Sequence, residues 1–317
     1  MLQQSWQNPI WSRSDNLRDP AVLPVEGGYW LFYSRYSNRD WSKPENWAVA
    51  RVFTPDFHEY FGDRDLTPKG FASPGDPVRW AGRWVLPYQS YPLHPSRLYF
   101  SESADALHWS DPIPFLAEAN NLSWNSRRRC IDPSLVVDDG WLHCFFVGSC
   151  DLPGSDSAPF SLAANSKPRH ANLVGHAVTR DPSLQSWEIL TPDQPLLGIS
   201  ERAPDGSENV MVIYTGGTNS NAKWTMIYSE GLANQHLAYA TSDDLRSWSI
   251  GEVISLPEQP WMEAKHGAPF IWREKDAWWM ILMGEDRRGK TSFGLLQSAD
   301  RIHWTSEISD IMERDWR

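Results

Sequence analysis

The sequence predicts an all-β fold, a five-bladed β-propeller formed by residues 1–317 as a single domain. One reason is a repeated order of residues, in which an acidic residue before proline, an apolar segment, a turn and a second apolar segment occur over 19–33 and again over 132–146. The other is an ending of Asp, three residues and an aromatic at 56–60, 105–109, 244–248 and 300–304, with a fifth copy at 183–187 that has Ser for Asp. Such repeats indicate one structural unit per copy, so five endings predict five blades.

The residues that begin the first strand of each blade show where the blades lie along the chain. Blade one begins at Asp19-Pro20, blade two at Asp76-Pro77, blade three at Asp132-Pro133 and blade five over 267–272. The innermost strand of each blade lines the central channel of a propeller. We therefore expect the three aspartates to face the axis.

Blade four departs from this pattern. We interpret 210–214 as its second strand, and counting back by the interval between Asp19 and Tyr33 leads to Ser200, beside Glu201. This count predicts that Glu201 is the acidic residue of blade four at the axis. The N-terminal segment 6–11 is expected to complete the last blade, and 151–169, rich in Ser, Pro and Ala, is expected to be a surface loop.

Composition and charge limit the partners and the compartment. The formal net charge of -11 argues against nucleic acid, whose binding depends on clustered Lys and Arg. No apolar run is long enough to span a membrane. The 3 cysteines lack metal-ligand spacing and the N-terminus lacks a signal-peptide pattern, so we expect a cytoplasmic protein, although a secreted protein whose signal has been removed also fits.

With these motifs the chain resembles the five-bladed propeller glycoside hydrolases, above all glycoside hydrolase family 43 and its relatives. The resemblance implies an aspartate base in blade one, matched by Asp19, and a pKa-tuning aspartate in blade three, matched by Asp132. It also implies a glutamic acid in blade four, for which Glu201 is the candidate. Here the chain departs from the family's Glu-Gly-Pro or Glu-Ala-Pro, because one residue is inserted before Pro204.

The activity that this resemblance implies is hydrolysis of glycosidic bonds with inversion. Asp19 would activate a water molecule while the acid protonates the leaving oxygen, the two groups standing roughly 6.5–9.5 Å apart. Asp132 would raise the pKa of the acid by like-charge repulsion. The first substrates expected are arabinofuranosides or xylosides of plant or algal polysaccharides.

Further residues are expected to contact the carbohydrate. The substrate-binding candidates are Asp76, Arg129, Glu263 and His266, of which Glu263 and His266 are also alternatives for the acid. Trp41, Trp47 and Trp124 could stack on sugar rings. The sequence contains no metal-binding motif, so no cofactor is expected to be required; an axial calcium ion beside His266 is the alternative.

We considered three other functions, of which two fit parts of this pattern and one lacks its motif. A propeller phosphorylase needs a basic phosphate pocket, which Lys265-His266 with Arg287-Arg288 could supply. A fructosidase would carry Asn-Asp-Pro in blade one, whereas here Arg18 precedes Asp19. The imperfect motif of blade four also fits a carbohydrate-binding propeller that has lost its acid, which would bind sugars without hydrolysing them.

Overall fold

The computed structural model describes residues 8–37, 40–152, 170–216, 222–232 and 235–306. Within them five antiparallel sheets form the blades of a propeller, which confirms the predicted fold class. Blade one consists of β2 (Asn16–Val25), β3 (Gly28–Tyr36), β4 (Trp47–Thr54) and β5 (Phe61–Asp65), after a short β1 (Trp11–Ser12). Blade two consists of β6 (Phe71–Ala72), β7 (Val78–Trp80), β8 (Arg83–Ser90), β9 (Leu98–Ser103) and β10 (Ile113–Pro114).

The remaining three blades have four strands each. Blade three consists of β11 (Ile131–Asp138), β12 (Trp141–Asp151), β13 (His170–Thr179) and β14 (Glu188–Ile189). Blade four consists of β15 (Ser207–Tyr214), β16 (Trp224–Glu230), β17 (His236–Ser242) and β18 (Ser249–Val253). Blade five consists of β19 (Lys265–Glu274), β20 (Ala277–Glu285), β21 (Thr291–Ser298) and β1. In the described part of the chain, no helix is long and apolar enough to cross a membrane.

The N-terminal segment closes the ring, as predicted. Trp11 of β1 pairs with Phe293 of β21, so the first strand of the chain becomes the outer strand of the last blade. The Trp11 ring also stacks on Tyr60 of blade one with centroids 4.9 Å apart. This contact joins the last blade to the first, although residues 6 and 7 of the expected segment lie outside the described residues.

The five repeated endings are one type of turn. The second residue of each copy has a positive φ between 60° and 73°, and the aspartate carboxylate accepts backbone N–H groups, as Asp105 does from Leu107 and His108 at 2.8 Å. The closing aromatic reaches back over the turn, as when Trp109 Nε1 donates to the carbonyl of Ala106 at 3.1 Å. In blade three Asp181 takes over the missing carboxylate and accepts from Ser183 at 2.9 Å.

A second repeated feature lies on the innermost strands. One residue of each blade has a left-handed backbone, with φ of 48° to 52°: these residues are Asp19, Ser73, Asp132, Asn209 and Ala268. In four of the blades the strand register shifts at this point. Such a bulge bends the strand and changes the direction of nearby side chains. The bulges therefore set which side chains face the central channel.

This feature corrects the interpretation of blade four. Residues 210–214 belong to its innermost strand β15, which pairs with β16 as the second strand, so the predicted strand order was wrong by one position. The error arose because blade four lacks an Asp-Pro pair; its left-handed position is occupied by Asn209. Asparagine adopts this conformation more readily than most residues with a side chain. The predicted loop over 151–169 lies, except for its first two residues, outside the described residues.

Candidate active site

Three carboxylates from three blades converge at the central channel: Asp19 of β2, Asp132 of β11 and Glu208 of β15. Asp132 lies within electrostatic range of both others, and burial, followed by the charges of Glu208 and Asp19, raises the pKa of Asp132 well above its usual range. Unpaired carboxylates in close contact repel one another and hold a proton that an isolated carboxylate would lose. The arrangement therefore provides one ionised group and one protonated group near neutral pH.

Asp19 is held by two serines. Its Oδ2 accepts hydrogen bonds from Ser34 Oγ at 2.7 Å and from Ser73 Oγ at 3.1 Å. Ser34 Oγ in turn accepts from the Ser73 backbone N–H at 2.6 Å, so the two serines are fixed against one another. Ser73 is the left-handed residue of blade two. Asp19 is thus oriented jointly by blades one and two while remaining partly exposed to the channel.

Asp132 is positioned through its backbone and its side chain. Its N–H donates to Gln89 Oε1 at 2.5 Å, and its carboxyl group accepts a hydrogen bond from Ser73. Arg129, three residues earlier, opposes the rise in the pKa of Asp132 but does not cancel it. Ser73 therefore contacts both aspartates, and Asp132 is the member of the group on which a proton is most favoured.

Glu208 is the third carboxylate, and sequence reasoning missed it. Its Oε2 accepts from Asn172 Nδ2 at 2.7 Å and its Oε1 accepts from Gln235 Nε2 at 2.8 Å. Burial raises the pKa of Glu208, but the charges of Lys265 and Arg129 and these two amide hydrogen bonds outweigh burial and lower it. Near neutral pH these effects favour the ionised form of Glu208 and the protonated form of its neighbour Asp132.

The expected position of Glu201 at the start of the innermost strand is wrong, because that strand begins at Ser207. Glu201 lies in an exposed turn before β15. The sequence contained one usable signal for Glu208, since Glu208-Asn209 directly precedes the apolar run 210–214, and Asn209 can take the place of glycine in the family's Glu-Gly-Pro. The alternative Glu263 is also exposed, and its carboxylate pairs with Arg287 Nε at 2.9 Å.

The other substrate-binding candidates have distinct environments. Asp76 is buried and accepts a hydrogen bond from Ser134 Oγ, and burial raises the pKa of Asp76 to about 7. It lines, with Asp19 and Asp132, a cavity of about 40 Å³ inside the channel. Arg129 lies beside Glu208 and Asp132, and its Nη1 is 3.4 Å from Asn172 Oδ1. These two residues therefore belong to the same site as the carboxylates.

His266 lies at the second position of β19, where its ring hydrogen-bonds the backbone of Met262. Burial lowers the pKa of His266, so it is neutral near pH 7. Among the described residues no group of three or more His, Cys, Asp or Glu side chains is arranged to hold a metal ion. An axial ion beside His266 stays a prediction.

The three tryptophans expected at the mouth do not share one role. Trp47 and Trp124 are buried, at 2% and 9% exposure, and pack against Tyr36 and Phe146 respectively, so they stabilise blades and cannot stack on a sugar. Trp41 is partly exposed, and the Arg18 guanidinium lies 4.7 Å from the centre of its ring. Trp41 is thus the only one of the three that is accessible to a ligand.

The chain is similar to known proteins over most of its length. Residues 67–315 match the family model described as Glycosyl hydrolases family 32 N-terminal domain. A segment of 108 residues is 32% identical to the sucrose-6-phosphate hydrolase of Salmonella typhimurium, covering 34% of this chain and 21% of that protein. The chain thus spans about a fifth of the length of this curated relative. Blade one, where Arg18 stands in place of the asparagine of Asn-Asp-Pro, precedes the family match.

Solved structures share the whole propeller. A thermostable family-43 glycoside hydrolase has a TM-score of 0.63 and 13% identity, covering 98% of this chain and 99% of that one. A family-43 β-xylosidase/α-arabinofuranosidase from a compost microbial metagenome, in complex with xylotriose, has a TM-score of 0.62 and 14% identity, covering 95% and 98%. A structure from the GH130 family of mannoside phosphorylases, which contains glycoside hydrolases that target β-1,2 mannosidic linkages in Candida mannan, has a TM-score of 0.62 and 14% identity, covering 90% and 85%. The expected resemblance to five-bladed propeller glycoside hydrolases is confirmed.

Proposed function

This chain belongs to the family of the glycosyl hydrolases family 32 N-terminal domain, and from this premise we propose that it hydrolyses glycosidic bonds at Asp19, Asp132 and Glu208. The observation that carries the proposal is the convergence of these carboxylates from three blades. Glycosidic cleavage needs one carboxylate to activate water or attack the sugar and one carboxyl group to protonate the leaving oxygen. The site supplies both protonation states.

We assign the role of base to Asp19. Two hydroxyl groups, Ser34 Oγ and Ser73 Oγ, donate to the same oxygen, Oδ2, which leaves Oδ1 for a water molecule. Asp19 would take a proton from that water while the water oxygen forms the new bond to the anomeric carbon on one face of the sugar and the glycosidic C–O bond breaks on the other. The family-43 resemblance favours inversion, and the anomer formed first would distinguish inversion from retention.

We assign the role of general acid to Glu208. We assign to Asp132 the role of adjusting the pKa of that acid. The two carboxyl groups form one coupled pair, so the proton favoured on Asp132 is available to the pair as a whole. The amides of Asn172 and Gln235 hold Glu208 in one orientation for delivery of that proton. A glycosidic oxygen beside Glu208 would leave as the neutral alcohol.

The test is cleavage of a glycoside panel by the wild type. The first substrates to test are arabinofuranosides and xylosides, because the resemblance to family 43 implies them. Sucrose and sucrose 6-phosphate are included because one relative is a sucrose-6-phosphate hydrolase. The proposal is supported if the wild type cleaves any glycoside of the panel and the Asp19→Asn variant does not. Tight sugar binding without turnover across the panel would favour a carbohydrate-binding propeller instead.

Phosphorolysis is a second candidate function, favoured by the position of Lys265 beside Glu208 and Asp19. In that reaction a phosphate oxygen replaces water in forming the bond to the anomeric carbon, while the glycosidic C–O bond breaks and the acid protonates the leaving oxygen. Turnover that requires inorganic phosphate and yields a glycosyl phosphate would establish it. Turnover at an equal rate without phosphate would exclude it for that substrate.

A further inference from the structure

Two cationic side chains flank the carboxylates on neighbouring inner strands. Arg18 directly precedes Asp19 on β2, and Lys265 opens β19 of the adjoining blade five. Lys265 lies within electrostatic range of Arg18, Asp19 and Glu208. The chain thus places two like charges within electrostatic range of one another at its candidate active site.

Neither cation forms a salt bridge with any residue in the described part of the chain. The Arg18 guanidinium lies over the Trp41 ring, 4.7 Å from its centre, which is a cation–π contact and not an ion pair. For Lys265, burial lowers the pKa, because the carboxylates near it offset only part of the cost of desolvation. By contrast Arg35, another partly buried cation, contacts Asp63 and Asp65 together.

Keeping two adjacent cations partly desolvated without close counterions costs free energy, and such arrangements are typical of binding sites. We propose that Arg18 and Lys265 bind an oxyanion, a phosphate or carboxylate group, beside the reacting bond. Arginine presents a planar set of donors that matches such a group, and lysine adds a compact positive charge. This inference rests on the proposed function only for the identity of the molecule that carries the oxyanion.

The oxyanion has two sources. It can be part of the sugar substrate, as in a sugar phosphate or a uronic acid, or it can be inorganic phosphate that takes the place of water. Both present the same charged oxygens to Arg18 and Lys265. They differ in the product, because only inorganic phosphate becomes covalently attached to the released sugar.

Binding of the oxyanion also changes the acid. The positive charge of Lys265 lowers the pKa of Glu208 and so helps to keep it ionised. An oxyanion on Lys265 offsets that charge and adds negative charge nearby, so it raises the pKa of Glu208 and moves the shared proton toward it. Binding of an anionic ligand would thus favour the protonated, acidic form of Glu208, with the proton coming from Asp132.

The experiment measures inorganic phosphate binding by titration calorimetry, at constant ionic strength, for wild type and matched variants. We expect Lys265→Met and Arg18→Met each to weaken binding about 10-fold or more, since a charged hydrogen bond is worth about 1.5–3 kcal/mol. Lys265→Arg should retain most of the binding. Lys69→Met, at an exposed lysine paired with Asp65 on the outside of blade one, should not change it. Thermal unfolding of each variant confirms that it is folded.

A second arm compares neutral glycosides with their 6-phosphorylated or uronic acid counterparts. Preference for the anionic member that disappears in Lys265→Met assigns the oxyanion to the substrate, whereas a glycosyl phosphate product assigns it to inorganic phosphate. No phosphate binding together with no preference for anionic glycosides overturns the inference, and cleavage of neutral glycosides would then leave the proposed function intact. Phosphate binding without cleavage of any glycoside would support the oxyanion site and count against the proposed hydrolysis, because calorimetry does not depend on turnover.

Discussion

Asn172 Nδ2 donates a hydrogen bond to Glu208 Oε2 over 2.7 Å, from blade three to blade four. The orientation of the Asn172 amide is fixed in turn, because its Oδ1 accepts from Ser149 Oγ at 2.6 Å. A buried amide held in this way can present only its NH₂ group to the carboxylate. Glu208 therefore has a defined orientation that it owes to a neighbouring blade.

The first prediction concerns Glu208 as the acid. Glu208→Gln should lower kcat on glycosides with poor leaving groups by about 10²–10⁴-fold, and much less on nitrophenyl glycosides, which need little protonation to leave. Steady-state kinetics on both substrate types measures the asymmetry. Glu201→Gln is the matched control, since it makes the same change on the exposed turn and should leave both rates unchanged. The asymmetry appearing in Asp132→Asn instead would transfer the acid role to Asp132.

The second prediction concerns Asp19 as the base. Asp19→Asn should reduce kcat on every substrate by about 10²–10⁴-fold with little change in sugar binding, because the side chain keeps its shape but loses its basicity. Ser73→Ala should cause a smaller loss, because it removes only one of the two hydroxyl donors to Oδ2. Kinetics and sugar calorimetry on the same samples separate catalysis from binding. Residual activity of Asp19→Asn near the wild-type level would exclude the assigned role.

The third prediction concerns the pH dependence of kcat/KM. The raised pKa of Asp132 means that the Asp132–Glu208 pair keeps its last proton to a higher pH than an isolated carboxyl would. In Asp132→Asn only Glu208 can hold this proton, and the lowered pKa of Glu208 releases it earlier as pH rises. The basic limb of the profile should therefore move to lower pH by at least about one unit. An unmoved basic limb would contradict the coupling of the two groups.

The fourth prediction concerns stability and two buried histidines. His143 Nδ1 and His176 Nε2 are 2.9 Å apart, and burial lowers the pKa of His143 to about 4 and that of His176 well below its usual value. The unfolded chain binds protons near pH 6.5 whereas the folded chain does not, so this contribution to stability is present above about pH 6.5 and is lost as pH falls toward 4.

Urea unfolding at pH 7 and pH 5 measures this effect. His143→Gln removes one titrating group while keeping polar atoms at the position, and it should lose less free energy of unfolding than the wild type between the two pH values. The expected difference is about 1–2 kcal/mol, from the linkage of a single histidine. An equal loss in both proteins would show that other groups account for the acid sensitivity.

The fifth prediction concerns closure of the ring. Trp11→Ala should lower the free energy of unfolding by about 2–3 kcal/mol, somewhat less than a fully buried tryptophan, because the stacking on Tyr60 and the packing against blade five are lost. Ser12→Ala, on the same short strand, removes one hydrogen bond to Ser292 and should cost only about 0.5–1 kcal/mol. Equal effects of the two substitutions would mean that Trp11 does not hold the blades together.

The sequence by itself determined the fold, the number of blades and the closure by the N-terminal segment. It also determined that Asp19 and Asp132 line the central channel. These features are written in short local patterns, because an Asp-capped turn or an Asp-Pro pair before an apolar strand depends on a few adjacent residues. The positions of Asp19 and Asp132 could be predicted because in each case the residue with the carboxylate is also the residue with the left-handed backbone.

Only the tertiary structure decided which glutamate joins them and what surrounds it. In blade four the two features are divided between adjacent residues, Glu208 and Asn209, so a pattern search for an acidic residue before proline passed over them. The amide partners of Glu208 come from positions 36 residues earlier and 27 residues later. Arg18 and Lys265 come within electrostatic range of one another because the ring closes blade five onto blade one. Such contacts follow from the closed arrangement of all five blades, and no local stretch of sequence encodes them.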